Sequence, residues 1–352
     1  MRDDVILLAD GGGGERMLDL VRREILARFA PADPSGELAR LADAARVEAA
    51  GPLAFTTDSY VVRPVEFPGG DIGRLAIAGT VNDLACLGAR PVAISLALIL
   101  EEGLALGLLG RVLDSAASTA REVGVPVVCG DTKVVERGSA DKLFINTAGI
   151  GEIMRGPDGR PRRLAADAIR PGDRVLVSGT VADHGVAVMS KREGLSFEAA
   201  VTSDVAPLWP LAARLLEACP RLRVLKDPTR GGLAAAVNEL AEAAGVRMRI
   251  DEARLPVRPA VMGACDALGL DVLTVANEGK FVVVVAAAEA EAALAAMRSH
   301  PLGRDAADIG EVLPEDAADD RARLGPRVTL RTTIGGERIL EMPYGEDLPR
   351  IC

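Results

Sequence analysis

The sequence predicts an α/β or α+β protein built from two domains. Three observations support this prediction: the length of the chain, an alternation of strand-like and helix-like segments, and a break in that alternation near the middle. At 352 residues the chain is long enough to form two hydrophobic cores. Apolar strand-like runs repeatedly precede segments with a helical period, a pattern typical of these two fold classes.

In the first half, the predicted elements follow one another with short breaks. Apolar residues at positions 17, 18, 21, 25, 26 and 29 form a helical stripe. The next predicted elements are a strand over 53–62, a helix over 71–88, a strand at PVAISLALIL, a helix over 104–123 and strands at VPVVCGDTKVV and KLFINTAGIGEI.

In the second half, the pattern restarts after MRGPDGRPRRL at 154–164, which is interpreted as an interdomain linker. A strand at DRVLVSGT, helices near 207–218 and 230–244, a strand at FVVVVAAA and a helix from Glu289 to His300 follow. Alternating apolar positions around Gly335-Gly336 predict a hairpin. The predicted organisation is a Gly-rich arm and helix (1–40), an N-terminal α/β domain (41–155), a C-terminal α/β domain (165–340) and a flexible tail (341–352).

Composition argues against several classes of protein. The net charge is −10 and the pI is near 5.0, which argues against nucleic-acid binding as the main role. The apolar runs are too short for a membrane span, and the first one follows two aspartates, the wrong charge for a signal peptide. Five widely spaced cysteines and two histidines disfavour disulfide scaffolds and zinc sites, so a reduced cytoplasmic setting is expected. The cysteines interpreted as inert core residues are Cys86, Cys129, Cys219 and Cys265.

Four aspartates lie in turn-like settings after or within apolar elements: Asp58, Asp83, Asp131 and Asp227. Mg²⁺ bound to a nucleotide prefers a few carboxylates together with phosphate oxygens and water, so aspartates that converge on one cleft would suit it. The alternative is that each is a turn or helix-cap residue, a position that Asp favours.

Two glycine-rich turns and three further side chains have two possible interpretations each. The run at 11–14 is either a flexible linker or a loop whose N–H groups bind phosphate, and PTRGG offers Arg230 for the same purpose. Lys133 and Glu278 are either surface charges or acid–base groups. His184 is either a cap or core residue or an acid–base group.

The last residue of the sequence is a cysteine on a segment without helical or strand-like periodicity. MPYGEDLPRIC contains two prolines and a glycine, and it reaches roughly 35 Å when extended at about 3.3 Å per residue. This length allows Cys352 to enter a cleft or to meet another protein. The alternative is a frayed end with no function for the thiol.

Together these motifs resemble the HypE family of hydrogenase maturation factors. That family lies in the superfamily of aminoimidazole ribonucleotide synthetase, thiamine-phosphate kinase and selenophosphate synthetase. The similarity spans nearly the whole chain and is carried by FTTDSYVV, FPGGDIGRLAI, GTVNDLA, ILEEGL, GDTKVVERG, DKLFINTAG, VSGTVADHG, DPTRGG, ANEGK, SHPLG and the closing PRIC, which is highly specific. One position departs from the pattern, because Asp10 stands where the family usually has a histidine before the glycine run.

The resemblance implies a two-domain aminoimidazole ribonucleotide synthetase-like fold with an extended C-terminal tail, whose N-terminal domains bind ATP and pair in a homodimer. The implied activity is carbamoyl dehydration on Cys352. The thiol would receive a carbamoyl group from a HypF-like partner, and ATP would phosphorylate the carboxamide oxygen. Loss of phosphate would leave S-cyanocysteine, whose cyanide would pass to iron on a HypC–HypD-like complex for the [NiFe]-hydrogenase centre.

The resemblance also implies roles for individual residues. The implied metal ligands for Mg²⁺ are Asp58, Asp83 and Asp227. The implied nucleotide-binding residues are Gly11, Gly12, Gly13, Asp71, Asn82, Asp131, Thr132, Lys133 and Arg230. The implied catalytic residues are Cys352 as acceptor and Lys133 or Glu278 as the base, which would contribute about 10²–10⁴-fold to the rate.

Two rival functions remain open at this point. The first is another ATP-using enzyme of the superfamily that acts on a free small molecule, for which the tail would be incidental. The second is a scaffold without enzymatic activity that binds maturation partners through the tail.

Overall fold

The described part of the chain folds around two large mixed β-sheets, one in each half of the sequence, and a two-stranded sheet lies in the first half. The structure, a computed structural model, describes residues 4–12, 14–42, 44–194, 201–314, 327–345 and 350–352. The helices are α1 (Gly14–Leu20), α2 (Ala27–Phe29), α3 (Ile72–Cys86), α4 (Leu106–Val123), α5 (Asp183–Arg192), α6 (Trp209–Ala218), α7 (Gly232–Ala244), α8 (Pro259–Leu268) and α9 (Ala290–Arg298). The strands are β1 (Leu53–Tyr60), β2 (Glu66–Phe67), β3 (Gly70–Asp71), β4 (Ala89–Glu101), β5 (Val127–Val135), β6 (Leu143–Ile153), β7 (Arg174–Val177), β8 (Leu222–Lys226), β9 (Met248–Asp251), β10 (Val282–Val285), β11 (Ala307–Val312), β12 (Val328–Arg331) and β13 (Glu337–Ile339).

The first sheet has the strand order β1-β6-β4-β5, and α3 and α4 cover one of its faces. α3 is buried over most of its length because it packs between this sheet, α4 and the second half of the chain. Its close approach to β1 depends on Gly79, since a Cβ there would lie 2.3 Å from the hydroxyl oxygen of Tyr60. This packing fixes the position of α3 over the inner face of the sheet.

The opposite face of the first sheet is open. Leu53 and Phe55 on β1 are 50% and 68% exposed, and Ile99 on β4 is 42% exposed. Side chains alternate between the two faces of a strand, so these residues lie on the face that α3 does not cover. Exposed apolar side chains on an open sheet face favour a protein–protein contact at this surface.

The second sheet has seven strands in the order β13-β12-β9-β11-β7-β10-β8. All four residues of β10 are fully buried, because helices pack on both faces of this sheet. The core of the first half also takes in residues of the second half, among them Val186, Val261 and Val275. The two halves therefore share a packed boundary, and the site described below lies along it.

The predicted fold class is confirmed, and so are most of the predicted elements. The strand predicted over 53–62 ends at Tyr60, and the hairpin around Gly335-Gly336 is formed by β12 and β13. The helix predicted from the stripe at 17–29 is interrupted by a π-helical segment, Val21–Leu26. Every helix in the described part of the chain is too short or too polar to cross a membrane.

Candidate active site

An acidic cluster forms where β1, α3 and the end of β8 meet. Asp58 lies on β1, Asp83 on α3 and Asp227 directly after β8. The Thr56 hydroxyl donates a hydrogen bond to Oδ2 of Asp83 at 2.6 Å. One helical turn further along α3, Sγ of Cys86 lies 4.0 Å from Oδ1 of Asp227. Three of the four aspartates expected to converge therefore lie close to one another.

Burial and mutual repulsion raise the pKa values in this cluster. Burial raises the pKa of Asp227 from 3.8 to about 6, and the charge of Asp83 adds to the rise while Lys226 opposes it. Burial also raises the pKa of Asp83, against the hydrogen bond from Thr56. Carboxylates held this unfavourably gain stability when a cation binds among them.

Glu278 lies buried beside the acidic cluster. It is 3% exposed, and its Oε1 has no hydrogen-bond partner among the residues that the structure describes. Burial, and then repulsion from Asp227 and Asp204, raises the pKa of Glu278 well above its usual value. An unpaired buried carboxyl oxygen is costly in free energy unless a ligand or proton meets it. The interpretation of Glu278 as a surface charge is therefore wrong.

The backbone at Glu278 is fixed by a residue that the sequence analysis did not single out. Asp204 accepts hydrogen bonds from the N–H groups of Glu278 at 3.1 Å and of Gly279 at 3.3 Å. It also forms an ion pair with Lys280 at 3.2 Å. Asp204 and Glu278 are 74 residues apart in sequence, so no local pattern indicated this contact.

Asn82 holds the chain around the site through both ends of its amide. Its Nδ2 donates to the carbonyl oxygens of Ala206 at 3.1 Å and Glu278 at 3.3 Å, and its Oδ1 accepts from the N–H of Leu208 at 2.7 Å. Asn82 therefore positions the backbone at Glu278. A direct contact with nucleotide stays a prediction.

Asp71 caps the helix that carries Asp83. Its Oδ1 accepts hydrogen bonds from the N–H groups of Gly73 at 2.7 Å and Arg74 at 3.0 Å. These are the contacts of a helix N-cap, and burial raises the pKa of Asp71. For this residue the structure shows a capping role, and nucleotide binding stays a prediction.

Asp131 and Lys133 lie on the open face of the first sheet, away from the acidic cluster. Asp58 is paired through β6 with Leu96 of β4, and Leu96 is paired with Gly130 of β5. Asp131 is one residue further along, so its side chain points to the opposite face from that of Asp58. Three strand spacings separate the two positions, about 14 Å at about 4.8 Å per strand.

The two open-face residues contact each other. Nζ of Lys133 donates to Oδ1 of Asp131 at 3.0 Å, and both side chains are more than half exposed. Thr132, between them, points into the core and is 2% exposed. Within one chain, Lys133 and Glu278 are therefore not brought to one point, although both were predicted as candidates for the same base.

A cavity of about 200 Å³ lies between the N-terminal helical arm and β5. Gly11 brings the arm against this strand, since a Cβ at Gly11 would lie 2.6 Å from Cβ of Val134. A Cβ at Gly12 would make only an ordinary contact, 3.8 Å from the carbonyl oxygen of Ala9, and Gly13 lies outside the described residues. The side chains and backbone that line the cavity include Met17, Val21, Ile25, Leu38, Cys129, Gly130, Asp131 and Thr132. The predicted glycine loop and the strand that carries GDTK are thus neighbours, and Gly130, Asp131 and Thr132 of that motif line the largely apolar cavity.

Arg230 lies in the turn that leads from Asp227 into α7. It is exposed, and its positive charge opposes the rise in the pKa of Asp83. The turn depends on Gly232, which has φ +60° and would place a Cβ 2.6 Å from the carbonyl oxygen of Val275. The predicted phosphate-binding arginine is therefore near the acidic cluster.

The last three residues of the chain are docked beside the end of β1. The N–H of Val61 donates to the carbonyl oxygen of Cys352 at 3.2 Å, and that of Arg63 to the carbonyl oxygen of Arg350 at 3.1 Å. Ile351 is 1% exposed and belongs to the core of the first half. The prediction of a flexible tail over 341–352 is therefore wrong for these three residues, because the apolar Ile351 side chain is buried in that core.

Docking places Cys352 at the end of β1, the strand that carries Asp58. Its side chain is partly buried against the core, and its backbone is bonded to Val61, the residue after Tyr60. Tyr60 is in turn close enough to Asp58 and Glu278 for both to raise its pKa, which burial raises most. The interpretation of Cys352 as part of a frayed end does not fit this arrangement.

The residues of the cluster are compatible with Mg²⁺ bound together with a nucleotide. Within the described ranges, no three His, Cys, Asp or Glu side chains converge closely enough to hold a metal ion alone. Nucleotide-bound Mg²⁺ uses one or two protein carboxylates together with phosphate oxygens and water. The unpaired Oε1 of Glu278 and the raised pKa of Asp227 indicate that neighbouring residues do not fully compensate the carboxyl groups of this site.

Comparison with known proteins assigns the chain to a family. Residues 41–153 match the N-terminal domain of AIR synthase related proteins, and residues 170–320 match the C-terminal domain. The carbamoyl dehydratase HypE of Rhodobacter capsulatus is 48% identical over 352 residues, which is 100% of this chain and 99% of the relative.

Solved structures agree with this assignment. A crystal structure of the hydrogenase maturation protein HypE in complex with ATP is 47% identical, with a TM-score of 0.91 over 98% of this chain and 99% of that one. A crystal structure of a HypE–HypF complex contains a chain that is 43% identical, with a TM-score of 0.77 over 92% of this chain and 99% of that one. The chain therefore belongs to the carbamoyl dehydratase HypE family.

Proposed function

We propose that the protein is an ATP-dependent carbamoyl dehydratase that acts on a carbamoyl group carried by its own Cys352 and serves hydrogenase maturation. The observation that supports this proposal is the docked tail, which holds Cys352 at the end of β1, the strand that carries Asp58 of the acidic cluster. In a small-molecule kinase, nothing would require the chain to place its own cysteine there. Thiol chemistry of this kind requires a reduced compartment, so we place the protein in the cytoplasm.

The reaction converts a thiocarbamate into a thiocyanate at the expense of ATP. The carboxamide oxygen attacks the γ-phosphorus, and the bond from that phosphorus to ADP breaks. The carbon–oxygen bond then breaks with phosphate as leaving group, and a carbon–nitrogen triple bond forms. One N–H proton passes to the base and the other to the departing phosphate or to water. Phosphorylation is needed because oxide is otherwise too poor a leaving group for this step.

The acidic cluster is suited to bind Mg²⁺ with the phosphates. Asp58, Asp83 and Asp227 would supply the carboxylates, and Arg230 would contact phosphate oxygen. When bound, the cation supplies charge neutralisation during phosphoryl transfer. The neighbouring residues hold these groups in place before substrate arrives, since Asp71 caps α3 and Thr56 orients Asp83.

Glu278 is the better placed of the two candidates for the base. Its buried carboxyl has a raised pKa, so its carboxylate accepts a proton more readily than an exposed one does. Its Oε1 has no partner within the described chain and is available for an N–H of the carbamoyl group. Asp204 and Asn82 fix its backbone, which keeps the acceptor in one position.

We also propose that two copies pair through the open face of the first sheet. Leu53 and Phe55 on that face are exposed apolar side chains that such an interface would cover. Pairing would bring Asp131 and Lys133 of one protomer towards the β1 strand of the other. The GDTK motif and the cavity beside it would then serve the nucleotide across the interface, with the base of the nucleotide in the apolar cavity.

Two kinds of partner are needed for a complete cycle. A HypF-like carbamoyltransferase would charge Cys352, in line with the existence of a HypE–HypF complex among the relatives. A HypC–HypD-like complex would carry the iron that accepts cyanide. Both partners must reach a thiol that is docked in this conformation, so the tail must also leave its groove.

The test uses the mass of the tail peptide. The wild-type protein is carbamoylated, incubated with Mg-ATP, and digested, and the peptide that contains Cys352 is weighed. We expect the loss of one water per peptide only when ATP is present, and no carbamoylation of Cys352→Ala. ATP turnover by Cys352→Ala on an added small molecule would favour a kinase instead, and absence of ATP hydrolysis by carbamoylated wild type would favour a scaffold.

A further inference from the structure

A buried histidine contacts the backbone of the docked tail. His184 lies in the first turn of α5 and is fully buried. Its Nε2 is 2.8 Å from the carbonyl oxygen of Ile351, and its Nδ1 is 2.8 Å from Oγ of Ser203. The edge of the imidazole ring packs against Phe67, with ring centroids 5.3 Å apart. The ring is therefore held on three sides.

The hydrogen bonds of the neighbours fix which nitrogen of His184 carries the proton. A carbonyl oxygen only accepts hydrogen bonds, so Nε2 must donate to Ile351. Oγ of Ser203 already accepts from the N–H of Val205 at 3.0 Å, and its own proton is free to go to Nδ1. Burial lowers the pKa of His184, which favours this neutral form.

The residue after Ser203 contacts the other side of the site. Asp204 accepts the N–H groups of Glu278 and Gly279, as described above. Ser203 therefore contacts His184, which holds the tail, and the adjacent Asp204 holds the backbone of the proposed base Glu278. A single peptide unit, between Ser203 and Asp204, therefore connects the contacts that hold the Ile351 carbonyl with those that hold the backbone of Glu278.

We propose that His184 is a positioning residue for dehydration. It holds the Ile351 carbonyl so that the carbamoyl group on Cys352 stays within reach of Glu278. This inference rests on the proposed function. His184 touches neither the reacting atoms nor the nucleotide in this arrangement, and its role is exerted through the tail. Carbamoyl transfer takes place on a released tail and should not depend on His184.

The test compares two substitutions at His184. Glutamine can place an N–H donor near the position of Nε2, whereas leucine has none. We expect His184→Leu to accept the carbamoyl group as wild type does but to lose water roughly tenfold more slowly, which is the size of effect of one lost buried hydrogen bond. His184→Gln should recover most of the rate. The apparent KM for ATP should be the same in all three proteins.

A matched control and a second variant keep the outcome decisive. His300, the other histidine of the chain, accepts a hydrogen bond from the N–H of Leu302, and His300→Leu should leave the dehydration rate unchanged. If His184→Leu does not fold, His184→Phe replaces it, because phenylalanine keeps an aromatic ring beside Phe67 and also lacks an N–H donor. A folded variant without the donor that dehydrates at the wild-type rate would overturn the inference.

A second readout does not involve activity. With only two histidines in the chain, nitrogen-15 imidazole spectra show two sets of signals, and His300→Gln identifies those of His184. We expect the Nε2–H tautomer in the intact protein and a shift of its signals when residues 350–352 are deleted. Unchanged His184 signals after the deletion would overturn the contact. Failure of wild type to lose water would instead overturn the proposed function.

Discussion

Replacement of Asp227 by asparagine should stabilise the protein in the absence of magnesium and nucleotide. The fold holds the pKa of this carboxyl at about 6 against an ordinary 3.8. At about 1.36 kcal/mol per pH unit, this difference corresponds to roughly 3 kcal/mol of unfolding free energy. The figure is an upper limit, because Asp227 is partly exposed and shares its repulsion with Asp83.

The sign follows from the direction of the pKa change. A carboxyl whose pKa is raised on folding favours the folded state when protonated, and this contribution is full below pH 3.8 and is lost as the pH rises through about 6. At pH 8 the wild-type protein therefore carries the whole penalty, whereas Asp227→Asn carries none of it. At pH 4 the two proteins should be nearly equal in stability.

Urea unfolding at a series of pH values measures this difference. Without Mg²⁺ we expect the midpoint of Asp227→Asn to exceed that of wild type at pH 8 and to approach it at pH 4. Glu291→Gln, at an exposed position on α9, should show no such trend. With saturating Mg-ATP the order should reverse, because only wild type gains stability from the ligand. A difference that does not vary with pH would refute the reasoning.

Three further changes test other parts of the site. Gly11→Ala should weaken ATP binding severalfold in calorimetry, because the new Cβ would overlap Val134. If the variant binds ATP with the affinity of wild type, the glycine loop lies outside the nucleotide site. Ile351→Gly should speed alkylation of the tail thiol, as burial of an isoleucine side chain contributes about 2 kcal/mol; an unchanged rate would show that the docked state is not populated. A mixture of Lys133→Ala and Glu278→Gln subunits should recover activity that neither variant has alone. Each heterodimer should have up to half of the wild-type activity, because one of its two sites keeps both residues. No recovery would place both residues in the same protomer's site.

Elements with a clear period could be predicted from the sequence, and those defined by the tertiary fold could not. The alternation in β1 and the helix that follows it are local features, and both were predicted within a few residues of their observed ends. The strands β8 and β9, with five and four residues, are too short to show a period. Their partners are distant in sequence, so only the assembled sheet defines them.

The candidate site shows the same limit. Asp58, Asp83 and Asp227 could be singled out because each stands at the end or on the surface of an apolar element. The face on which Asp131 lies could not be inferred, since it depends on the strand order and register of the sheet. Asp204 was missed for a related reason, because its partners come from another part of the chain.

The docked tail has to be held weakly enough to be released, and its contacts agree with this requirement. Six hydrogen bonds join the last three residues to the rest of the described chain, at a net of about 1 kcal/mol each. Their partners are Val61, Arg63, Asp141, His184 and Arg192. Burial of the isoleucine side chain adds about 2 kcal/mol. Ordering three residues costs about 1–2 kcal/mol each for the backbone, and about 2 kcal/mol more for the arginine side chain. The gains exceed the cost by only a few kcal/mol. Under the proposed function, a carbamoyl donor or an iron acceptor that binds the released tail could therefore displace it from the groove.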